Sequence, residues 1–153
     1  MSIKINYLNK FANKPPTNLI LFVDENFNIN GLKKTISSIE FAYISDLLKT
    51  SDLRKRILFF KINSKKTIFL ISIKKEIKIS DIENLGAKFN SYINYDKKKE
   101  YFVNSDTINN KIKNFVGYFL HGLKLKSYEF NIYKSNKNKK IVSINVIGKN
   151  NKL

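Results

Sequence analysis

The sequence predicts a three-layer α/β/α domain built on a mixed sheet of about six strands. A continuous apolar run, Asn18 to Val23 (N-L-I-L-F-V), is typical of a central strand covered on both faces. Segments with strand patterning alternate along the chain with segments of helical periodicity, as in α/β domains. A polar connector of hairpin length separates Arg56 to Ile62 from Thr67 to Ile73, which indicates an antiparallel pair. Wherever strands of the mixed sheet are parallel, we expect right-handed crossovers.

The first part of the chain reads as two strands followed by two helices. Ile3 to Leu8 alternates apolar and polar residues, as expected of a half-buried strand near a sheet edge. After the central strand, Asp24 and Glu25 are placed to start a helix electrostatically. Its apolar positions are Leu32, Ile36 and Ile39. Ser37 and Glu40 then have capping-box spacing for a second helix.

The second part contains a helix between strands and ends on a strand. Ser80 and Glu83 have capping-box spacing. The helix that they predict has an apolar face formed by Ile82, Leu85, Phe89, Tyr92 and Ile93. Tyr101 to Val103 is a short strand, and Lys140 to Ile147 alternates as the last strand.

The strongest helical period in the chain lies between Ile108 and Leu125, with Asp106 or Thr107 as its cap. Its stripe consists of Ile108, Ile112, Phe115, Val116, Phe119, Leu120 and Leu123. The period breaks after Leu125, so we expect an irregular connector there. Tyr128, Phe130 and Tyr133 supply three rings in six residues of that connector, and we expect them to anchor it.

Length and composition favour one cytoplasmic domain. At 153 residues, we expect a single non-catalytic α/β domain over residues 1–147, with 148–153 as a linker or an artificial end. No run approaches the roughly 18 apolar residues of a membrane span, and Lys4 and Lys10 interrupt any signal-peptide core. The absence of cysteine excludes disulfides, thiolate zinc ligands and thiol nucleophiles.

A net charge of +17 raises the hypothesis of nucleic-acid binding. Two details favour a merely solvated lysine surface. Arginine, which suits bidentate phosphate and guanine contacts, is present only as Arg54 and Arg56. The abundant lysine, isoleucine and asparagine all have AT-rich codons, so genome composition explains much of the charge. A DNA-binding patch remains the alternative.

No catalytic, cofactor-binding or metal-ligating residue is predicted. His121 is the single histidine and lies opposite the apolar stripe of its helix, as a surface or interface histidine would. Asp81 and Glu83 fit the first turn of a capped helix. The five glycines match no phosphate-binding loop, and Gly117 and Gly122 are expected to allow close approach of neighbouring backbones.

The run Gly122 to Lys134 (G-L-K-L-K-S-Y-E-F-N-I-Y-K) resembles the end of the N-terminal domain of leucyl (cytosol) aminopeptidases. In that family a long helix closes with a Gly, a Ser-Tyr-x-Phe and a Tyr-Lys. The order of the preceding elements is similar as well. The sequence departs from many relatives at Glu129 and Asn131, where they have Arg and Asp, and in Thr67 to Ile73, where they often carry glycines.

The resemblance implies a macro-domain-like module joined to a C-terminal aminopeptidase domain that holds two divalent metal ions, Zn or Mn. It implies a homohexamer and, in some bacterial members, a DNA-binding surface. The family's catalytic signature has no counterpart here, so no site residue is carried over. We expect a non-enzymatic assembly domain, with Tyr128, Phe130, Tyr133 and Lys134 at a partner or domain interface. A basic nucleic-acid-binding module is the alternative, and macro-domain-like nucleotide binding ranks last.

Overall fold

The structure is a computed structural model that describes residues 2–8, 17–93, 99–109, 112–133 and 141–148. The strands are β1 (Ser2–Leu8), β2 (Asn18–Asp24), β3 (Ile57–Lys61), β4 (Thr67–Ile73), β5 (Glu100–Asn104) and β6 (Ile141–Ile147). The α-helices are α1 (Ser38–Leu48), α2 (Ile79–Phe89) and α3 (Phe115–Tyr133). Single 3-10 turns occur at Asn30–Leu32, Asn90–Tyr92 and Ser105–Thr107.

The six strands form one mixed sheet in the order β1-β6-β5-β2-β4-β3. Every neighbouring pair is parallel except β3 and β4, which form the predicted antiparallel pair. The predicted central strand is β2, which lies between β5 and β4, and β1 lies at an edge. The last strand, β6, pairs with the first, so the two ends of the domain meet in the sheet.

Helices α2 and α3 cover one face of the sheet with an aromatic core. The ring of Phe89 in α2 lies 5.2 Å from the ring of Phe69 in β4, edge to face. The ring of Phe119 in α3 lies 5.5 Å from that of Phe22 in β2. Both α-helical rings are fully buried, so this layer accounts for the larger of the two cores.

Helix α1 and the segment before it cover the other face more thinly. Ile44 is the fully buried residue of α1. Leu32 and Ile36 are also buried there, although they lie outside any α-helix. The predicted three-layer α/β/α arrangement is confirmed, with three α-helices in the described part of the chain.

The expected helix through Leu32 and Ile36 is wrong. Only the 3-10 turn Asn30–Leu32 forms there, and Ile39 belongs to α1 instead, where its side chain is 81% exposed. The capping box that begins α1 is confirmed. Glu40 N donates to Ser37 Oγ at 3.1 Å, and Ser37 N donates to Glu40 Oε1 at 3.0 Å.

The cap predicted for α2 is also wrong. The helix begins at Ile79, so Ser80 and Glu83 lie inside it, and the Lys78 N–H donates to Asp81 Oδ2 at 3.2 Å. The predicted face is correct, because Ile82, Leu85 and Phe89 are buried. The sequence pattern favoured Ser80 because serine is a preferred N-cap residue, whereas lysine is not.

Helix α3 begins later than the apolar period predicts. Asn114 has a φ of 60°, a left-handed conformation that asparagine tolerates and that interrupts a helix immediately before Phe115. Ile108 and Ile112 therefore lie outside the helix. Thr107 does not cap α3 either, since its hydroxyl accepts from Phe22 N at 3.0 Å and donates to Asn104 O at 2.7 Å.

Within the described residues, no helix has the length and apolar character to cross a membrane. Residue 148, the first of the expected linker, follows β6 directly with a φ of 142°. Residues 149–153 lie outside the described residues, so the domain boundary predicted at 147 stays a prediction.

Candidate functional site

The aromatic segment predicted to lie at an interface is the last part of α3. Tyr128, Phe130 and Tyr133 all lie in continuous helix, so the expected irregular connector is wrong. Residues 123–133 contain neither Gly nor Pro, and a helix needs no apolar stripe to continue where no residue breaks it. Lys134 lies outside the described residues.

The side chain of Tyr128 lies on the surface of this domain. It is 63% exposed, and Leu125, one turn earlier, is 51% exposed. Residues three apart on a helix are neighbours, so these two apolar side chains lie together on the outer side of α3. Ser127 is buried, and its hydroxyl donates to Lys124 O at 2.7 Å. The exposed side chains of Leu125 and Tyr128 are accessible to a partner, and the interface role of this part of α3 stays a prediction.

A shallow, open groove of about 380 Å³ runs between α2 and α3. It is lined by Ser80, Glu83, Asn84, Ala87, Gly122, Leu125 and Lys126. The helices are close because Gly122 has no side chain, and a Cβ atom there would lie 2.6 Å from the carbonyl carbon of Glu83. The predicted role of Gly122 in close backbone approach is confirmed. Gly117 instead faces the side chain of Asn114.

His121 and Glu83 join the two helices beside this groove. His121 Nδ1 and Glu83 Oε2 are 2.5 Å apart, and the imidazole is 59% exposed. The prediction of a surface or interface histidine is confirmed. Sequence spacing did not predict its partner, because 38 residues separate the two and only the packing of α3 on α2 brings them together.

The carboxylate that follows β2, Asp24, has local backbone partners. Asp24 Oδ1 accepts from the N–H groups of Asn26 at 3.0 Å and Asn28 at 2.9 Å, which closes the turn after β2. The expected helix-start role of Asp24 is wrong because no α-helix begins there. Over the described ranges, no group of three or more His, Cys, Asp or Glu residues could hold a metal ion.

One ion pair links α1 to the β3–β4 hairpin and was not predicted. Lys66 Nζ lies 2.7 Å from Glu40 Oε2, and both side chains are largely buried. Burial raises the pKa of the Glu40 carboxyl, but hydrogen bonds from Lys66 and from the Ser37 backbone outweigh it. The pKa of Glu40 therefore lies below its ordinary value of 4.5. The sequence offered no signal for this pair beyond opposite charge.

Comparison by sequence finds no relative: no protein-family model matches the chain. No curated protein matches it either.

Comparison by structure finds aminopeptidases. A mutant of tomato leucine aminopeptidase superposes with a TM-score of 0.65 and 13% identity, over 96% of this chain and 32% of that chain. Cytosol aminopeptidase from Coxiella burnetii gives a TM-score of 0.53 and 11% identity, over 92% of this chain and 28% of that one. The chain thus spans about a third of these enzymes.

A macrodomain also has this fold. The macrodomain of Thermus aquaticus DarG gives a TM-score of 0.50 and 11% identity, over 94% of this chain and 99% of that chain. The predicted macro-domain-like fold is confirmed. The chain therefore resembles in fold one part of the leucine aminopeptidases, and that part has the size expected for their N-terminal domain. Because the identities are only 11–13%, the likeness concerns the fold alone.

Proposed function

We propose that this chain is a non-catalytic domain of a leucyl-aminopeptidase-like metallo-exopeptidase, with a role in assembly or regulation. The likeness to tomato leucine aminopeptidase supports this, because it takes in 96% of this chain and leaves about two thirds of the enzyme unmatched. The catalytic chemistry, including two divalent metal ions, would belong to a C-terminal domain of the same protein. That protein would be cytoplasmic and hexameric.

An activity assay tests the non-catalytic part of the proposal. The purified chain is incubated with leucine p-nitroanilide and either Mn²⁺ or Zn²⁺, beside a complete leucine aminopeptidase as positive control. We expect no release above a metal-only blank. Metal-dependent turnover that chelation removes would refute the assignment. Sequencing downstream of the Leu153 codon tests parentage, since an in-frame dimetal aminopeptidase half is expected.

The proposed contact with the catalytic domain or a neighbouring subunit is the end of α3, at Tyr128, Phe130 and Tyr133, together with Lys134, which follows in the sequence and lies outside the described residues. Tyr128→Glu places a charge on an exposed ring position and should shift the two-domain protein from hexamer to smaller species in sedimentation velocity. Ile39→Glu is the control, because Ile39 is also an exposed large apolar residue but lies on α1, across the sheet. Equal effects of the two variants would contradict this interface.

The alternative function is non-specific nucleic-acid binding, which the net charge of +17 supports. Phosphate binding releases counterions, so genuine affinity falls steeply as salt rises. A gel shift with a 30-base-pair duplex at about 150 mM salt decides the matter. Retention that disappears at higher salt would favour a basic patch. Binding confined to very low salt would leave only a charged surface.

A further inference from the structure

Strand β3 is the last strand on one side of the sheet. Among the described strands it hydrogen-bonds to β4 alone, and we call its other side the open edge of β3. An unpaired edge presents a row of backbone N–H and C=O groups that can template another strand. Natural proteins usually protect edge strands from such pairing with charged side chains, proline, bulges or a covering element. The side chains next to the open edge of β3 therefore indicate which kind of strand could pair with it.

The ladder with β4 shows which backbone groups of β3 point outward. Ser72 N donates to Arg56 O at 2.8 Å, and Ile62 N donates to Lys66 O at 2.9 Å. In an antiparallel pair, bonded and non-bonded positions alternate. Even-numbered residues of β3 therefore turn their backbone groups toward β4. The residues that turn theirs toward the open edge are Ile57, Phe59 and Lys61.

Two tyrosine hydroxyls donate hydrogen bonds to the outward carbonyls of the first and last of these three residues. Tyr92 Oη donates to Ile57 O, and Tyr43 Oη donates to Lys61 O, each at 3.5 Å. Both bonds are at the long limit for hydrogen bonds, so replacing them costs little. Phe59 lies between them and has no backbone partner on its outward side among the described residues. The phenols thus stand where the N–H groups of an added strand would be.

Phe59 also offers an apolar contact along this edge. Its side chain is 58% exposed, although phenylalanine is usually buried. The ring lies 6.2 Å from that of Phe69 and 6.0 Å from that of Tyr92, so it is held by ring neighbours on its inner side. An incoming strand could cover its outer side with an aromatic or branched side chain.

The charged residues of β3 and of the segments directly before and after it are all cationic. Residues 54–66 contain six cationic side chains and no carboxylate. Arg54 pairs with Asp52 and Lys66 with Glu40. No carboxylate lies within 4.0 Å of Lys55, Lys61 or Lys65 in the described structure. A second copy of this chain would bring the same positive charges to the edge, whereas an acidic strand would be attracted.

We propose that the open edge of β3 binds an extended acidic segment of a partner protein, which adds to the sheet as a seventh strand. Main-chain hydrogen bonds at Ile57, Phe59 and Lys61 would give affinity, and the Phe59 ring with the surrounding cations would give selectivity. This interaction surface is separate from the proposed assembly role of the end of α3.

The test uses the purified chain and a fluorescein-labelled peptide, Glu-Thr-Val-Phe-Val-Glu-Asp, followed by anisotropy. We expect saturable binding, and a loss of about tenfold or more in affinity when alternate peptide nitrogens are methylated or when the acids are replaced by lysine. No binding, or equal binding of either control peptide, would overturn the proposal.

Variants of the chain locate the peptide. Phe59→Ala should weaken binding by about tenfold or more, while Tyr7→Ala, at an exposed ring of β1 on the opposite side of the sheet, should leave it unchanged. Tyr43→Phe with Tyr92→Phe frees two carbonyls without removing the rings, so binding should tighten. Equal weakening by Phe59→Ala and Tyr7→Ala, or no tightening by the double variant, would contradict a β3 site.

Two further readouts separate a bound peptide from other occupants of the edge. Peptide addition should slow amide exchange at Phe59 and Lys61 and leave Leu58, already bonded to β4, unchanged. Sedimentation of the chain alone should show a monomer. A dimer that Phe59→Lys abolishes would assign the edge to a second copy and overturn the acidic partner.

Discussion

Gly86 of α2 and Gly122 of α3 lie at one helix crossing, and each receives the backbone of the other helix. A Cβ atom at Gly86 would collide with the carbonyl of Phe119, at 2.8 Å from its carbon. A Cβ atom at Gly122 would collide with the carbonyl of Glu83. The obstructing atoms are helical backbone, which cannot rotate away as a side chain can. The two glycines therefore set the distance between α2 and α3.

Replacing either glycine should destabilise the domain. We expect Gly86→Ala and Gly122→Ala each to lower the free energy of unfolding by about 1–3 kcal/mol, because the helices must separate to admit a methyl group. Gly31→Ala is the control, since a Cβ there meets nothing within 4 Å, and its effect should stay within about 0.5 kcal/mol. Urea denaturation measures all three. Wild-type stability in Gly86→Ala would contradict this crossing.

The aromatic core on the α2–α3 side should dominate stability. Phe89 is fully buried and contacts the rings of Phe69, Tyr101 and Phe119. Phe89→Ala should cost about 3–5 kcal/mol, since it removes apolar burial and leaves a cavity. Tyr128→Ala, at an exposed ring, should change the unfolding free energy by less than about 0.5 kcal/mol. Thermal and urea unfolding compare the two, and similar losses would argue against the assigned core.

The capping box of α1 should contribute measurably to the free energy of unfolding. Ser37→Ala removes the acceptor of the Glu40 N–H and should lower stability by about 1 kcal/mol. Ser38→Ala changes the same residue type one position later, inside the helix, where no cap is lost. If Ser38→Ala destabilised the domain more than Ser37→Ala, the helix would begin elsewhere. Urea midpoints at constant slope are the measurement.

The Glu40–Lys66 pair predicts a pH dependence. Because the pKa of Glu40 is lowered in the folded state, its contribution is complete above the ordinary value of 4.5 and is lost as pH falls through the folded pKa. Glu40→Gln keeps a side-chain acceptor for the Ser37 N–H but removes the charge. At pH 7 it should cost about 1 kcal/mol, and the difference from wild type should shrink in acid. Asp46→Asn, at an exposed carboxyl of the same helix, is the control. A pH-independent difference would contradict the charge effect.

Much of the strand pattern could be predicted because it depends on local chemistry. The apolar run of β2 requires burial on both faces, and the polar connector between β3 and β4 can only turn the chain over a few residues. Helix limits were harder to predict. The apolar stripe at Ile108 and Ile112 indicated helix, but the left-handed Asn114 separates it from α3. The break in the apolar period after Leu125 indicated a connector, yet the backbone stays helical through Tyr133.

The candidate interfaces depend still more on tertiary structure. Sequence identified the rings of Tyr128, Phe130 and Tyr133 as unusual, but the exposure of Tyr128 follows from the position of α3 on the sheet. The hydroxyl of Tyr43 reaches the edge of β3 from α1, and that of Tyr92 reaches it from the 3-10 turn after α2, on the opposite face of the sheet. The spacing of these residues along the chain does not predict that both reach the same strand.

The sequence by itself determined the fold class, the positions of six strands, the lack of a recognisable catalytic motif and a strongly positive charge. The periodicity of apolar residues and the composition are local properties of the sequence. They predict strands, helices and charge without regard to how these elements pack together. Tertiary structure decided the strand order, the glycine crossing of α2 and α3, the His121–Glu83 and Glu40–Lys66 pairs and the open edge of β3. Each of these depends on distances between residues far apart in the chain, which only the packed sheet and helices fix.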